Sequence, residues 1–188
     1  MNRSLISFGV VVTLFLSYGF LHADTIKMVD GSKKLKVKVI EEDIKKVTYK
    51  KGSLPQQSVP SDQVLEVLSD SGSNDYKTLM ETYANQDFGG AAGLFAEFAD
   101  SLGDSQPALQ SYCLFKSAEC YQKVGDNGEA VKAYTYFANT FSNHRLYPDA
   151  LQQRAICYIN TQQLDKAKEG FDLLEKQISK KGLDDYWK

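Results

Sequence analysis

The chain has 188 residues, 43% of them hydrophobic and 24% charged, which suits one domain or two small ones with a modest core and excludes a disordered chain. A net charge of −2 argues against a protein built to hold nucleic-acid phosphates. Three cysteines and two histidines exclude a disulfide-built miniature fold and any multi-cysteine zinc framework.

Residues 1–23 open with Met-Asn-Arg, run through an apolar stretch from Leu5 to Leu21 and close on His22-Ala23. A positive start, a hydrophobic core and a small residue before a polar stretch form the pattern of a secretory signal peptide. Cleavage after Ala23 starts the mature chain at Asp24 and places the protein in the periplasm or outside the cell. The alternative is a retained anchor, since the apolar stretch lies at the short end of the spanning range. No cysteine precedes Cys113, so a lipidated cysteine is not the anchor. Export leaves His144 as the one histidine of the mature chain and removes ATP-dependent and nucleic-acid roles.

From Asp24 to Leu68 the hydrophobic period is two. Ile26 and Met28 alternate, followed by Leu35, Val37 and Val39, then Val47 and Tyr49, then Val64, Leu65 and Val67. Asp30-Gly31, Glu41-Glu42-Asp43, Lys51-Gly52 and Pro60-Ser61-Asp62 punctuate the series as turns. Such alternation predicts four or five short antiparallel strands, bent into a small barrel-like module over residues 24–68. Nine lysines lie between Lys27 and Lys51, against seven acidic residues in 24–68, a local net of +2. Lys34, Lys36 and Lys38 interleave with the apolar series and are expected to point together off one face. There they either contact an anionic surface, such as a phospholipid headgroup or cell-wall polymer, or form a solvated face that blocks edge-to-edge pairing. The stretches TIKMVDGSKKLKVKV, VTYKKG and VPSDQVLEV resemble the N-terminal SH3-like or Sm-like β-modules of some exported bacterial repeat proteins.

Residues 69–75, Ser-Asp-Ser-Gly-Ser-Asn-Asp, hold no apolar side chain and read as a linker, with Asn74 or Asp75 available to cap the next helix. From Tyr76 to Lys188 the period becomes helical, and one pattern occurs three times: alanine, three residues, an aromatic, two residues, a large apolar residue. The copies are Ala91-Phe95-Phe98, Ala130-Tyr134-Phe137 and Ala167-Phe171-Leu174. Each follows a helix carrying Tyr83, Tyr121 or Tyr158. Ala118 and Ala155, Cys120 and Cys157, and Ala130 and Ala167 are each 37 residues apart. The spacing sets three residues on one helical face, and the alanine lets the neighbouring helix approach closely. Loops are expected at 85–90, 125–128 and 161–163, with Pro107 and Pro148 in the first turns of leading helices. Leu183, Tyr186 and Trp187 end the array as a short cap over its last face, unless a further unit or another chain covers it.

Three helix–turn–helix units of this kind resemble the tetratricopeptide repeat, in the longer form of bacterial envelope proteins. One unit cannot bury its own apolar face, and about three stacked units are the minimum for a continuous core. The fold class is therefore α+β: mainly a helical-hairpin solenoid of three units, preceded by the small β-module. The resemblance implies a groove lined by the leading helices, with Tyr112, Phe115, Glu119 and Gln122 from the second unit. From the third it takes Asp149, Gln152, Ile156 and Asn160. This set does not match the family's clamp for a terminal carboxylate, which needs lysine, asparagine and arginine at these places. A mixed aromatic, amide and acidic surface suits a peptide or helix laid in the groove. Phe115 serves the groove or packs on the first unit. Residues 69–188 carry 12 basic and 17 acidic side chains, a net of −5, which favours a basic partner segment.

No catalytic constellation emerges: His144 reads as a surface loop residue, and there is no glycine-rich phosphate loop, metal-spaced cluster or GxSxG elbow. No cofactor is implied. Cys113 and Cys120 are about 10 Å apart along one helix, too far to bridge, while Cys120 and Cys157, at equivalent places in adjacent units, are either buried thiols at a helix seam, the commoner case, or a disulfide. The function expected is a non-catalytic exported scaffold that binds other proteins in the cell envelope. The rival is recruitment to membrane or wall through the lysine-rich module, with the solenoid used for self-association.

Overall fold

The computed structural model describes residues 23–182, the side chain of Asp104 excepted. The leader and the segment bearing Leu183, Tyr186 and Trp187 lie outside the described residues. Five strands come first: β1 (Asp24–Met28), β2 (Lys33–Glu42), β3 (Lys46–Lys50), β4 (Gln57–Pro60) and β5 (Val64–Leu68). They form one antiparallel sheet in the order β4-β3-β2-β1-β5. The expected barrel-like closure is not made: β4 and β5 are the two edges, joined by one turn of 3-10 helix at Ser61–Gln63.

Three bulges decide which side chains enter the sheet's core. Asp24 pairs with Val37 and Ile26 with Lys34, so β2 carries one extra residue beside Lys36, which takes φ +54°. A second extra residue lies at Ile40, between the pairs Val39–Tyr49 and Glu41–Thr48. A third lies at Leu65, between Glu66–Lys27 and Val64–Met28. Each reverses the alternation locally and bends its strand. Leu35, Ile40 and Leu65 are consequently exposed, while Ile26, Val37, Val39, Val47, Tyr49, Val64 and Val67 fill the core. Glu42, which alternation puts in a solvated turn, is turned inward opposite Val47.

Six helices follow: α1 (Asn74–Ala84), α2 (Phe88–Leu102), α3 (Pro107–Lys123), α4 (Asn127–Thr140), α5 (Tyr147–Asn160) and α6 (Leu164–Lys181). Ser73, rather than Asn74 or Asp75, caps α1 by accepting the Tyr76 N–H at 3.1 Å. The aspartates Asp87 and Asp126 cap α2 and α4 in the same way. Each helix packs on the next, and Ala91, Ala130, Ala118 and Ala155 are fully buried at the seams. Phe95, Tyr134 and Phe137 fill the interior beside them. Gly170 serves the same close approach on α6, where a Cβ would meet that of Ala155 at 3.0 Å. Cys113, Cys120 and Cys157 are free and buried.

Candidate functional site

Sheet and helices meet along a built contact. The turn after β2 lies against the loop between α4 and α5, where Asp43 and His144 form an antiparallel bridge. Ile44 N–H donates to the Asn143 carbonyl at 2.8 Å, and the side chains of Asn143 and Asp43 are hydrogen bonded. Ile44, in the β2–β3 turn, joins an apolar cluster with Ala138 of α4, Tyr147 and Leu151 of α5 and Leu174 of α6. At the other end, Tyr76 Oη donates to the Ser69 carbonyl at 2.7 Å, and Asp24 accepts from Val39 and Asp70 N–H groups.

Arg145 Nε donates to Glu42 Oε2 at 2.6 Å, and His144 Nε2 stands 3.8 Å from the same oxygen. Burial on its own raises the Glu42 carboxyl, but His144 and Arg145 together outweigh it and hold the group below its usual range. The expectation of a surface histidine is therefore corrected. His144 is buried against Phe137 and Phe141, with Nδ1 accepting the Leu146 N–H at 3.1 Å.

The contact reshapes the groove. A cleft of about 250 Å³ lies between β5 and α3, lined by Leu65, Glu66 and Val67 on one side and Tyr112, Phe115, Lys116 and Glu119 on the other. Tyr112 and Phe115 line it while remaining buried. Tyr112 packs on Phe95 at 6.4 Å, and Phe115 packs edge-on against Tyr134 and Phe137 at 5.7 and 5.3 Å. Glu119 accepts from Lys116 at 2.7 Å. Gln122 is held between Tyr134 Oη and Gln153, at 2.9 and 3.0 Å, and Asn160 bonds to Asn127 at 3.1 Å. Asp149, Gln152 and Ile156 are half-buried along α5. Burial lifts the Asp149 carboxyl to about 6, with Arg145 and His144 opposing the shift and Glu119 adding to it.

The three lysines do not share a face. Lys34 pairs with Ile26 on the core side of the sheet and is half-buried, Lys36 occupies the bulge, and Lys38 points away from Val37 and Val39. Residues missed from sequence are Glu42, Arg145, Lys116 and Leu65. The first and last are placed by bulges, which a period of two cannot show. Among the described residues no group of three His, Cys, Asp or Glu could hold a metal. Burial pushes the Cys113 thiol up to about 12 and those of Cys120 and Cys157 to about 11, which makes them inert.

The family model of the tetratricopeptide repeat matches residues 112–144, from within α3 to the α4–α5 loop. That segment is similar to a tetratricopeptide repeat. The helical hairpins on either side of it repeat the same arrangement, which supports the same family for the array. Tetratricopeptide repeats generally mediate protein–protein contacts. No curated protein matches the chain.

Proposed function

We propose that this chain is an exported, non-catalytic scaffold of the bacterial cell envelope that binds a segment of another protein. The observation that carries the reading is the tetratricopeptide-like hairpin at 112–144, with half-buried polar and apolar side chains facing a cleft beside it. The cleft beside α3 is lined by β5 and Lys116, and the α5 side contributes Asp149, Gln152 and Ile156, all half-buried. A carboxylate at that wall suits a partner segment carrying lysine or arginine. Export rests on the leader pattern, whose cleavage starts the mature chain at Asp24.

The test is capture from cross-linked native envelopes, comparing the chain with a Glu119→Arg/Gln152→Arg variant of unchanged melting temperature. A protein retained by the first and lost from the second supports the groove. Retention of the same proteins by both, or of membrane and wall material alone, overturns it.

A further inference from the structure

The repeat supplies its own measure of an uncovered face. Phe95, Tyr134 and Phe171 occupy one position of the pattern in successive units, yet the first two are 0% exposed and Phe171 is 37% exposed. Leu164, two turns earlier on α6, is 65% exposed. In the first unit the covering helix is α3, whose Tyr112 reaches Phe95. Among the described residues nothing plays that part for α6.

The stripe on that face reads Leu164, Lys168, Phe171, Glu175 and Ile178, with spacings of 4, 3, 4 and 3; Ile178 lies at its edge, half-buried and packed also against the cluster that holds Ile44 and Leu174. This is the seam period of two helices packed along their length. The order is also palindromic in chemistry. Reversed about Phe171, Leu164 falls on Ile178, and Lys168 falls one residue, about 1.5 Å along the axis, from Glu175. Lys168 and Glu175 are about 10.5 Å apart along the axis, too far to pair with each other. Both are exposed, and neither forms an ion pair among the described residues.

We propose that the occupant of this face is a second copy of the chain, with the two α6 helices antiparallel about a two-fold axis at Phe171. Each Lys168 then faces the other copy's Glu175, and apolar residues meet at the centre and both ends. A parallel pairing sets lysine on lysine and glutamate on glutamate, so charge selects the antiparallel one. An isologous contact closes at two subunits, so no filament follows. One helix per subunit gives a small interface, and the dimer is concentration-dependent. The proposal does not depend on the groove, whose α5 side remains with each subunit.

Sedimentation equilibrium of the full chain, expressed with its leader in place, tests this. A monomer–dimer equilibrium is expected. Lys168→Glu and Glu175→Lys each weaken it about tenfold, because both symmetric pairs become repulsive, and the double exchange restores it. Phe171→Asp yields a monomer of unchanged helix content. Phe171→Cys oxidises to a covalent dimer and Glu175→Cys does not, because only position 171 lies on the axis. A monomer at every concentration overturns the proposal, as does a dimer indifferent to Phe171→Asp, charge variants without rescue, or growth past two subunits. So does a chain that dimerises only once residues 183–188 are deleted, since those residues then cover the face themselves.

Discussion

Arg145 Nε and Glu42 Oε2 lie 2.6 Å apart although 103 residues separate them in the chain, and their side chains are only 9% and 3% exposed. The pair ties the end of β2 to the α4–α5 loop, and Arg145 N–H also donates to the Glu42 carbonyl at 3.3 Å. Sheet and helices are thus one packed unit rather than two bodies on a tether.

Removing one member leaves the other charge buried without a partner. Glu42→Gln or Arg145→Ala is expected to cost about 3–5 kcal/mol in urea unfolding. A Glu42→Leu/Arg145→Met pair recovers most of it, because neither charge then needs solvation. Glu42 titrates below its ordinary value of 4.5 in the fold, so its contribution is full above that pH and disappears as the pH falls through the lower folded value. The acid limb of the stability profile should therefore flatten in Glu42→Gln.

Ile44 carries the apolar half of the same contact. Truncation to alanine removes a side chain that is 7% exposed among Ala138, Tyr147, Leu151 and Leu174. A loss of about 2–4 kcal/mol is expected. Hydrogen exchange of the Ile44 amide, which bonds to the Asn143 carbonyl, should speed up well beyond that of the β3 amides. Equal acceleration across the sheet and all six helices would instead show that Ile44 stabilises everything globally and holds no separate contact.

The helical half was legible because its signal is redundant. Ala91-Phe95, Ala130-Tyr134 and the 37-residue offsets of Ala118 and Cys120 reflect the same steric demand at each seam, and all of these positions are fully buried. The β half was legible only as strands. Leu35 and Leu65 look like core residues by alternation and are exposed, while Glu42 looks like a turn residue and is buried, because single-residue bulges invert the count. The groove was legible as a helix face but not in its contents. Tyr112, Phe115, Glu119 and Gln122 do share one side of α3, yet the two rings and the amide are taken up by Phe95, Tyr134 and Gln153. A local pattern cannot show that a sheet 45 residues upstream will stand over the same wall.

Asp149 has the opposite sign to Glu42. Burial raises its carboxyl from 3.8 to about 6 in the fold, so the folded chain binds the proton more tightly than the unfolded one. Stability from this group therefore falls as the pH rises between those two values, and the deficit persists above them. Asp149→Asn is expected to gain about 1–3 kcal/mol at neutral pH and to flatten the profile in that window. The same substitution removes a groove carboxylate, so it should weaken capture of a basic partner while raising the melting temperature. A variant that melts lower at pH 7 would show that Arg145 holds the charged form after all.

Ala130 and Ala167 occupy the same repeat position but do not carry equal weight. Ala130 is fully buried within the main helical core, between elements packed on both sides. Ala167 is 4% exposed on α6, one face of which is open at Phe171. A leucine at either position overpacks a helix seam, at a cost of about 1–3 kcal/mol. The cost should be larger at Ala130, where α4 is fixed by both α3 and α5, than at Ala167, where α6 can shift outward. Thermal melts of Ala130→Leu and Ala167→Leu measure the difference directly. Equal losses would mean that α6 is held from outside as firmly as α4, which is the behaviour expected only if its open face is covered under the conditions of the melt.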